Sequence, residues 1–101
     1  MELKELEAQM HAFVAGKGWY RPDSPKQQTA RNLAISLVLE AAEVLEHFQW
    51  REEARKREAL AGELADVALY LLQLASVAGV DLEQAILEKL AENRERDWPE
   101  P

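Results

Sequence analysis

Cysteine is absent from the 101 residues, which removes disulfides and thiolate metal ligands at the outset. Glycine and proline occur four times each, and no stretch shows the strict apolar–polar alternation of a half-buried strand. No apolar run reaches the roughly 18 uninterrupted residues of a membrane span. The longest, Leu64 to Val80, is broken by Asp66, Tyr70, Gln73 and Ser76. The N-terminal MELKELEAQ is acidic and amphipathic, unlike a secretory signal. Basic residues are in deficit, 12 against 19 acids for a net charge of −7, so nucleic acid and anionic membranes are poor partners. A polyanionic small substrate stays open, because divalent cations held locally reverse the sign of a site. Neither repeats nor linkers divide the chain, and the expectation is one cytoplasmic globular domain over residues 1–101.

What is present is helical. Leu3, Leu6, Met10, Phe13 and Val14 recur at three- and four-residue steps, predicting a first helix over about Glu2 to Ala15 that Gly16 and Gly18 end. The loop that follows, GKGWYRPDSPKQQ, holds Trp19 beside Tyr20. Such aromatics pack over a core edge or stack on a ligand. Ser24-Pro25 reads as an N-cap and first helical residue, predicting a second helix running to about Trp50, roughly 39 Å long. A third helix is expected from about Arg55 to Ala78, closed by Gly79. A fourth starts at Asp81, with Gln84 in the capping-box position and Leu82, Ile86, Leu87 and Leu90 as its buried face. His11 reads as an ordinary helix residue. The fold class predicted is all-α, a four-helix bundle.

The chain is organised around Leu33 to Leu45, LAISLVLEAAEVL, whose only polar residues are Ser36, Glu40 and Glu43. At about 100° per residue these share one stripe, which extends to Asn32, His47 and Trp50. The remaining faces are apolar, which implies burial on most sides. Carboxylates carried into such surroundings cost several kcal/mol unless compensated. On the third helix Glu63, Asp66, Tyr70 and Gln73 form a second stripe at steps of three, four and three, with Gly62 beside it. Four carboxylates with no thiol make a hard, all-oxygen donor set suited to Mg²⁺ or Mn²⁺. A di-iron bundle would need Glu-x-x-His, but the residues three before His11 and His47 are Ala8 and Val44. The plainer alternative is a structural bundle, catalytically silent, whose acids reach solvent and which binds a nucleotide or a partner protein.

The pairs E-x-x-E and E-x-x-D on successive helices resemble the MazG-like superfamily of all-α nucleoside triphosphate pyrophosphohydrolases. ARNLAISLVLEAAEVLEHFQW is most similar to its dCTP pyrophosphatase branch, through RNL, the spaced glutamates and FQW. ELADVALYLLQLA and the later Lys89, Asn93 and Arg96 extend the likeness over about residues 6–96. The resemblance implies that Glu40, Glu43, Glu63 and Asp66 are Mg²⁺ ligands and catalytic. It implies that Trp19, Trp50 and Asn32 line a nucleobase pocket, and that Tyr70, Lys89, Asn93 and Arg96 surround sugar and phosphates. It further implies conversion of dCTP, or a modified pyrimidine deoxynucleotide, to the monophosphate and pyrophosphate. The chain departs from the pattern at Asp97-Trp98-Pro99, where Tyr-Pro is usual, and in a shorter connection after Trp50. Leu33–Leu45 and Leu64–Val80 are apolar on more faces than one short chain covers, so a homodimer or homotetramer is expected.

Overall fold

A computed structural model describes residues 1–54, 56–97 and 99. The described residues form four helices, α1 (Leu3–Gly16), α2 (Ala30–Glu46), α3 (Arg57–Val77) and α4 (Leu82–Glu95), and contain no strand. The other three helices all pack on α3, which shares its most extensive contact with α2.

Glycine ends two helices where the sequence places it. Gly18 (φ 78°) and Gly79 (φ 75°) take the left-handed conformation. Trp19 N–H donates to the Val14 carbonyl (3.3 Å) and Val80 N–H to the Ala75 carbonyl (2.8 Å). Both are six-residue closures that satisfy the last carbonyls of a helix. Asp81 caps α4 by accepting from Gln84 N–H (3.1 Å). The reciprocal arm of the capping box does not form, because the Gln84 amide turns forward to Glu88 Oε1 (3.0 Å).

The second helix starts later than Ser24. Ser24 Oγ accepts from Lys26 N–H, two residues on (3.1 Å), which closes a tight local turn instead of a helix. The Gln27 side-chain amide then folds back onto the Ser24 carbonyl at 2.5 Å. Thr29 is the true cap, accepting from Asn32 N–H (3.2 Å). The helix stops at Glu46, leaving 17 residues, about 26 Å at 1.5 Å per residue, in place of the roughly 39 Å expected. After it the chain turns, and Trp50 takes φ 71°. The third helix keeps close to its expected bounds, and the expected start at Arg55 lies outside the described residues.

The core is small. Met10, Val14 and Leu72 form its buried cluster, with Leu3, Trp19 and Leu82 packed against it, and Leu33 is fully buried between α2 and α3. The burial expected along Leu33–Leu45 and on the fourth helix is not supplied by this chain. Val38 is 67% and Leu45 70% exposed, and Ile86, Leu87 and Leu90 are exposed as well. The reason is geometric: the main contact of α4 is with α3 and that of α2 is with α3, which leaves their remaining faces uncovered among the described residues. The radius of gyration is 16.3 Å, against about 13 Å for a compact chain of 100 residues. By length and mean hydropathy (1.4) α3 would qualify as a membrane span, since the average passes over the polar breaks counted in the sequence. Its role here is that of the helix on which the others pack.

Candidate active site

The α2–α3 pair carries the site. Gln28, just before α2, meets Gln73 near the end of α3, while Glu40 and Glu43 meet Glu63 near its start. The two helices therefore run antiparallel, and the stripes seen in the sequence face each other. Carboxylate oxygens of Glu40, Glu43 and Glu63 lie within 4.8 Å of one another. Asp66, one turn along from Glu63, is close enough for its charge to act on both Glu40 and Glu63.

Crowded like charges resist ionisation together. The Glu63 carboxyl is pushed up to about 7, first by a hydrogen bond shared with Glu43, then by desolvation and by the charges of Glu43, Glu40 and Asp66. Burial raises Glu40, followed by the charge of Glu43, a hydrogen bond with it, and the charge of Asp66. Glu40 Oε2 is closed off from solvent without a hydrogen-bond partner among the described residues. A buried acceptor with nothing to accept from, at the centre of converging carboxylates, fits a bound divalent cation. Glu43 and Asp66 themselves are exposed, so the apolar surroundings expected of them are only partly provided by this chain.

Beside the acids lies a pocket of about 740 Å³ between α1, the 17–29 loop, α2 and α3. Asp66 belongs to both, lining the pocket while acting on the acid cluster. Trp19, Asn32 and Tyr70 line it too, together with Phe13 and Leu69. Trp19 combines the two expectations for a loop aromatic. It packs on the Met10–Val14–Leu72 cluster, holds Phe13 edge-on (5.8 Å between centroids), and still lines the pocket. Lys26 Nζ sits 5.2 Å from its ring centroid, a cation at the rim of the cavity. Asn32 is fixed by donating its amide to the Gln27 carbonyl (2.9 Å).

Four expected residues are not among those lining the pocket. Trp50 is 92% exposed beyond the end of α2. Lys89, Asn93 and Arg96 belong to α4 and its C-cap and do not line this pocket. Lys89 pairs with Glu92 at 3.3 Å. The departure at Trp98 lies outside the described residues. Gly62 shows no close approach, since a Cβ there would meet open space.

A polar network escaped the sequence reading. His11 Nε2 meets Ser76 Oγ at 2.8 Å and its Nδ1 meets the Tyr20 hydroxyl at 2.5 Å. Gln73 donates to Tyr20 (3.3 Å) and to Gln28 Oε1 (2.8 Å). Burial raises the Tyr20 phenol above its usual value, and the Gln73 bond opposes the rise. His11 is thus tied to a residue 65 positions away, a contact no helical spacing reveals. The one available signal is Gln73, a polar residue in an apolar run on the same stripe as Glu63 and Asp66.

The MazG-like family model matches residues 35–100. A dCTP pyrophosphatase 1 from Homo sapiens is 39% identical over 104 residues, covering 94% of this chain. Its Mus musculus counterpart is 38% identical over the same length. The chain spans only 56% of the length of these mammalian proteins. A dATP/dGTP diphosphohydrolase from Cyanophage S-2L is 34% identical, covering 90% of this chain and 76% of the phage protein. Among solved structures, a pyrophosphatase from Archaeoglobus fulgidus superposes with a TM-score of 0.78 at 34% identity, covering 96% of this chain and 92% of that one.

Proposed function

Because the chain belongs to the MazG-like family, we propose that it is a nucleotide pyrophosphohydrolase that converts a deoxynucleoside triphosphate, dCTP or a modified pyrimidine relative, to the monophosphate and pyrophosphate. The observation that carries this reading is the placement of three converging carboxylates, with Asp66, at the edge of an aromatic-lined pocket of about 740 Å³. The names of the relatives, dCTP pyrophosphatase and dATP/dGTP diphosphohydrolase, agree on the class of reaction and differ on the base.

Glu40, Glu43, Glu63 and Asp66 would hold Mg²⁺, with Mn²⁺ as a substitute. Bound there, the cation supplies positive charge to phosphate oxygens and lowers the pKa of water. The base would lie against Trp19, with Asn32 and Tyr70 on the same pocket wall. A stacked base is oriented without being chosen, since every base has a π-face. A water molecule, losing its proton to one of the glutamates, attacks the α-phosphorus. The bond from that phosphorus to the α–β bridging oxygen breaks, and pyrophosphate leaves. Of the cations, Lys26 stands at the rim of the pocket.

Lys89, Asn93, Arg96 and Trp50 enter this scheme through a second subunit. The uncovered apolar faces of α2 and α4 support a homodimer or homotetramer in which neighbours complete each other's sites. Lys89 and Arg96 would then meet the charge that develops on the leaving pyrophosphate.

The test is product analysis with single deoxynucleoside triphosphates and Mg²⁺. Monophosphate and pyrophosphate should appear together, and Glu43→Gln or Asp66→Asn should abolish their formation. Orthophosphate and diphosphate as products would sink the assigned bond cleavage. Tight nucleotide binding without any turnover would leave the silent bundle as the better reading.

A further inference from the structure

The polar network has a direction, and it starts at a backbone carbonyl. The Lys26 carbonyl can only accept, so the Gln28 atom 2.7 Å from it is the amide nitrogen. That places Gln28 Oε1 at the other end, where it accepts from Gln73 at 2.8 Å. The Gln73 atom there must therefore be its nitrogen, whose second proton reaches the Tyr20 oxygen (3.3 Å). The Tyr20 hydroxyl continues the chain to His11 Nδ1, and His11 Nε2 continues it to Ser76 Oγ. Both Gln73 amide protons are committed, and no rotation of the amide satisfies the same partners.

Gln73 is only 3% exposed and is one of the residues that line the pocket. Its Oε1 takes part in none of these bonds. A buried amide so arranged presents an acceptor and withholds a donor. An acceptor held in place discriminates between ligand groups, because a carbonyl set against it leaves two acceptors facing each other.

We propose that Gln73 is the specificity-determining residue of the pocket, its Oε1 accepting from the exocyclic amino group of cytosine or adenine, with Gln28 as the positioning residue that fixes its orientation. Uracil, thymine and hypoxanthine, which carry a carbonyl in place of that amino group, are disfavoured. The inference rests on the nucleotide reading of the pocket but not on hydrolysis. It explains how a site that stacks any base still chooses among them, and it lies outside the four acids altogether.

Calorimetric titration of the full chain with dCMP and with dUMP, in the absence of divalent metal, tests it apart from turnover. The wild type should bind dCMP about tenfold more tightly than dUMP, the scale set by one buried hydrogen bond gained or lost. Gln73→Leu should bring the two affinities within about twofold of each other, since stacking survives and the acceptor does not. Gln28→Leu, at a less buried position, should narrow the ratio in the same direction by freeing the Gln73 amide to rotate, an effect that simple loss of packing would not produce. Equal affinities in the wild type, or a ratio preserved in both variants, would overturn the assignment. If neither monophosphate binds, the nucleotide reading falls with it. Discrimination for dCMP without monophosphate release from any triphosphate would keep the role of Gln73 and remove the hydrolase.

Discussion

At the scale of single residues, the site is a set of groups held against their own preference. The neighbouring carboxylates push the Glu63 carboxyl up to about 7 from an ordinary value of 4.5, and Glu40 is raised in the same direction. A carboxyl with a raised folded-state pKa binds its proton more tightly in the native state. Its contribution is complete below the unfolded value and is lost as pH rises through the folded one. The metal-free protein should therefore lose thermal stability as pH climbs from about 4.5 past 7. Saturating Mg²⁺ should flatten that decline, because the ion favours the ionised carboxylates. Melting curves over this range, with and without Mg²⁺, check both, and metal-free stability that rises with pH would contradict the shared-proton account. Trp50 is a second strained residue, with φ 71° on an almost fully exposed indole. An L-residue there costs about 1–2 kcal/mol, a cost Gly avoids. Trp50→Gly should leave the melting temperature unchanged or higher. If the ring stacks on a base, as about 1–3 kcal/mol of stacking implies, nucleotide affinity should fall at least severalfold. Unchanged affinity in a titration would remove Trp50 from the site.

At the scale of elements, the α2–α3 hairpin was legible in advance because an α-helix converts spacing into direction. Steps of three and four along Ser36, Glu40 and Glu43, and along Glu63, Asp66, Tyr70 and Gln73, put each set on one face, and the two faces meet. Helix ends marked by Gly18, Gly79 and Asp81 were equally readable, since each carries its own cap chemistry. The start of α2 was not. Ser24-Pro25 and Thr29 both offer an N-cap, and what separates them is where the Gln27 and Asn32 amides find carbonyls, which depends on the folded loop. Gly62 gives an element-scale prediction. A methyl there meets open space, so Gly62→Ala should stabilise α3 by about 0.5–1 kcal/mol in urea denaturation. A loss of stability would place a neighbouring subunit's helix against that position.

At the scale of the whole molecule, one chain leaves its apolar surface unfinished. Val38, Leu39 and Leu45 on α2, Leu64 on α3 and Leu87 on α4 are all more than half exposed. Soluble monomers rarely show continuous apolar patches beyond a few hundred Å², and pairing such faces across a two-fold axis would cover them. Sedimentation equilibrium at micromolar concentration should give a dimer or tetramer, and full activity at the 11.5 kDa monomer mass would sink this expectation. Val38→Glu, on the outer face of α2, should shift the distribution towards monomer without touching the acid cluster.

Helix, stripe and donor chemistry were determined by the sequence alone, because each depends on residues within two turns of one another. Hence the all-α class, the two facing acid-bearing stripes and the all-oxygen donor set could be read from the spacing and chemistry of Glu40, Glu43, Glu63 and Asp66 in their apolar frame. Only the tertiary structure decided which groups share a pocket. Asn32 and Tyr70 line it with Trp19, while Trp50, Lys89, Asn93 and Arg96 are not among its lining residues. The orientation of Gln73 was likewise beyond reach, since it is set by partners 45 and 53 residues away. Contacts at that separation depend on how the 17–29 loop folds over α3, and no periodicity encodes the path of a loop.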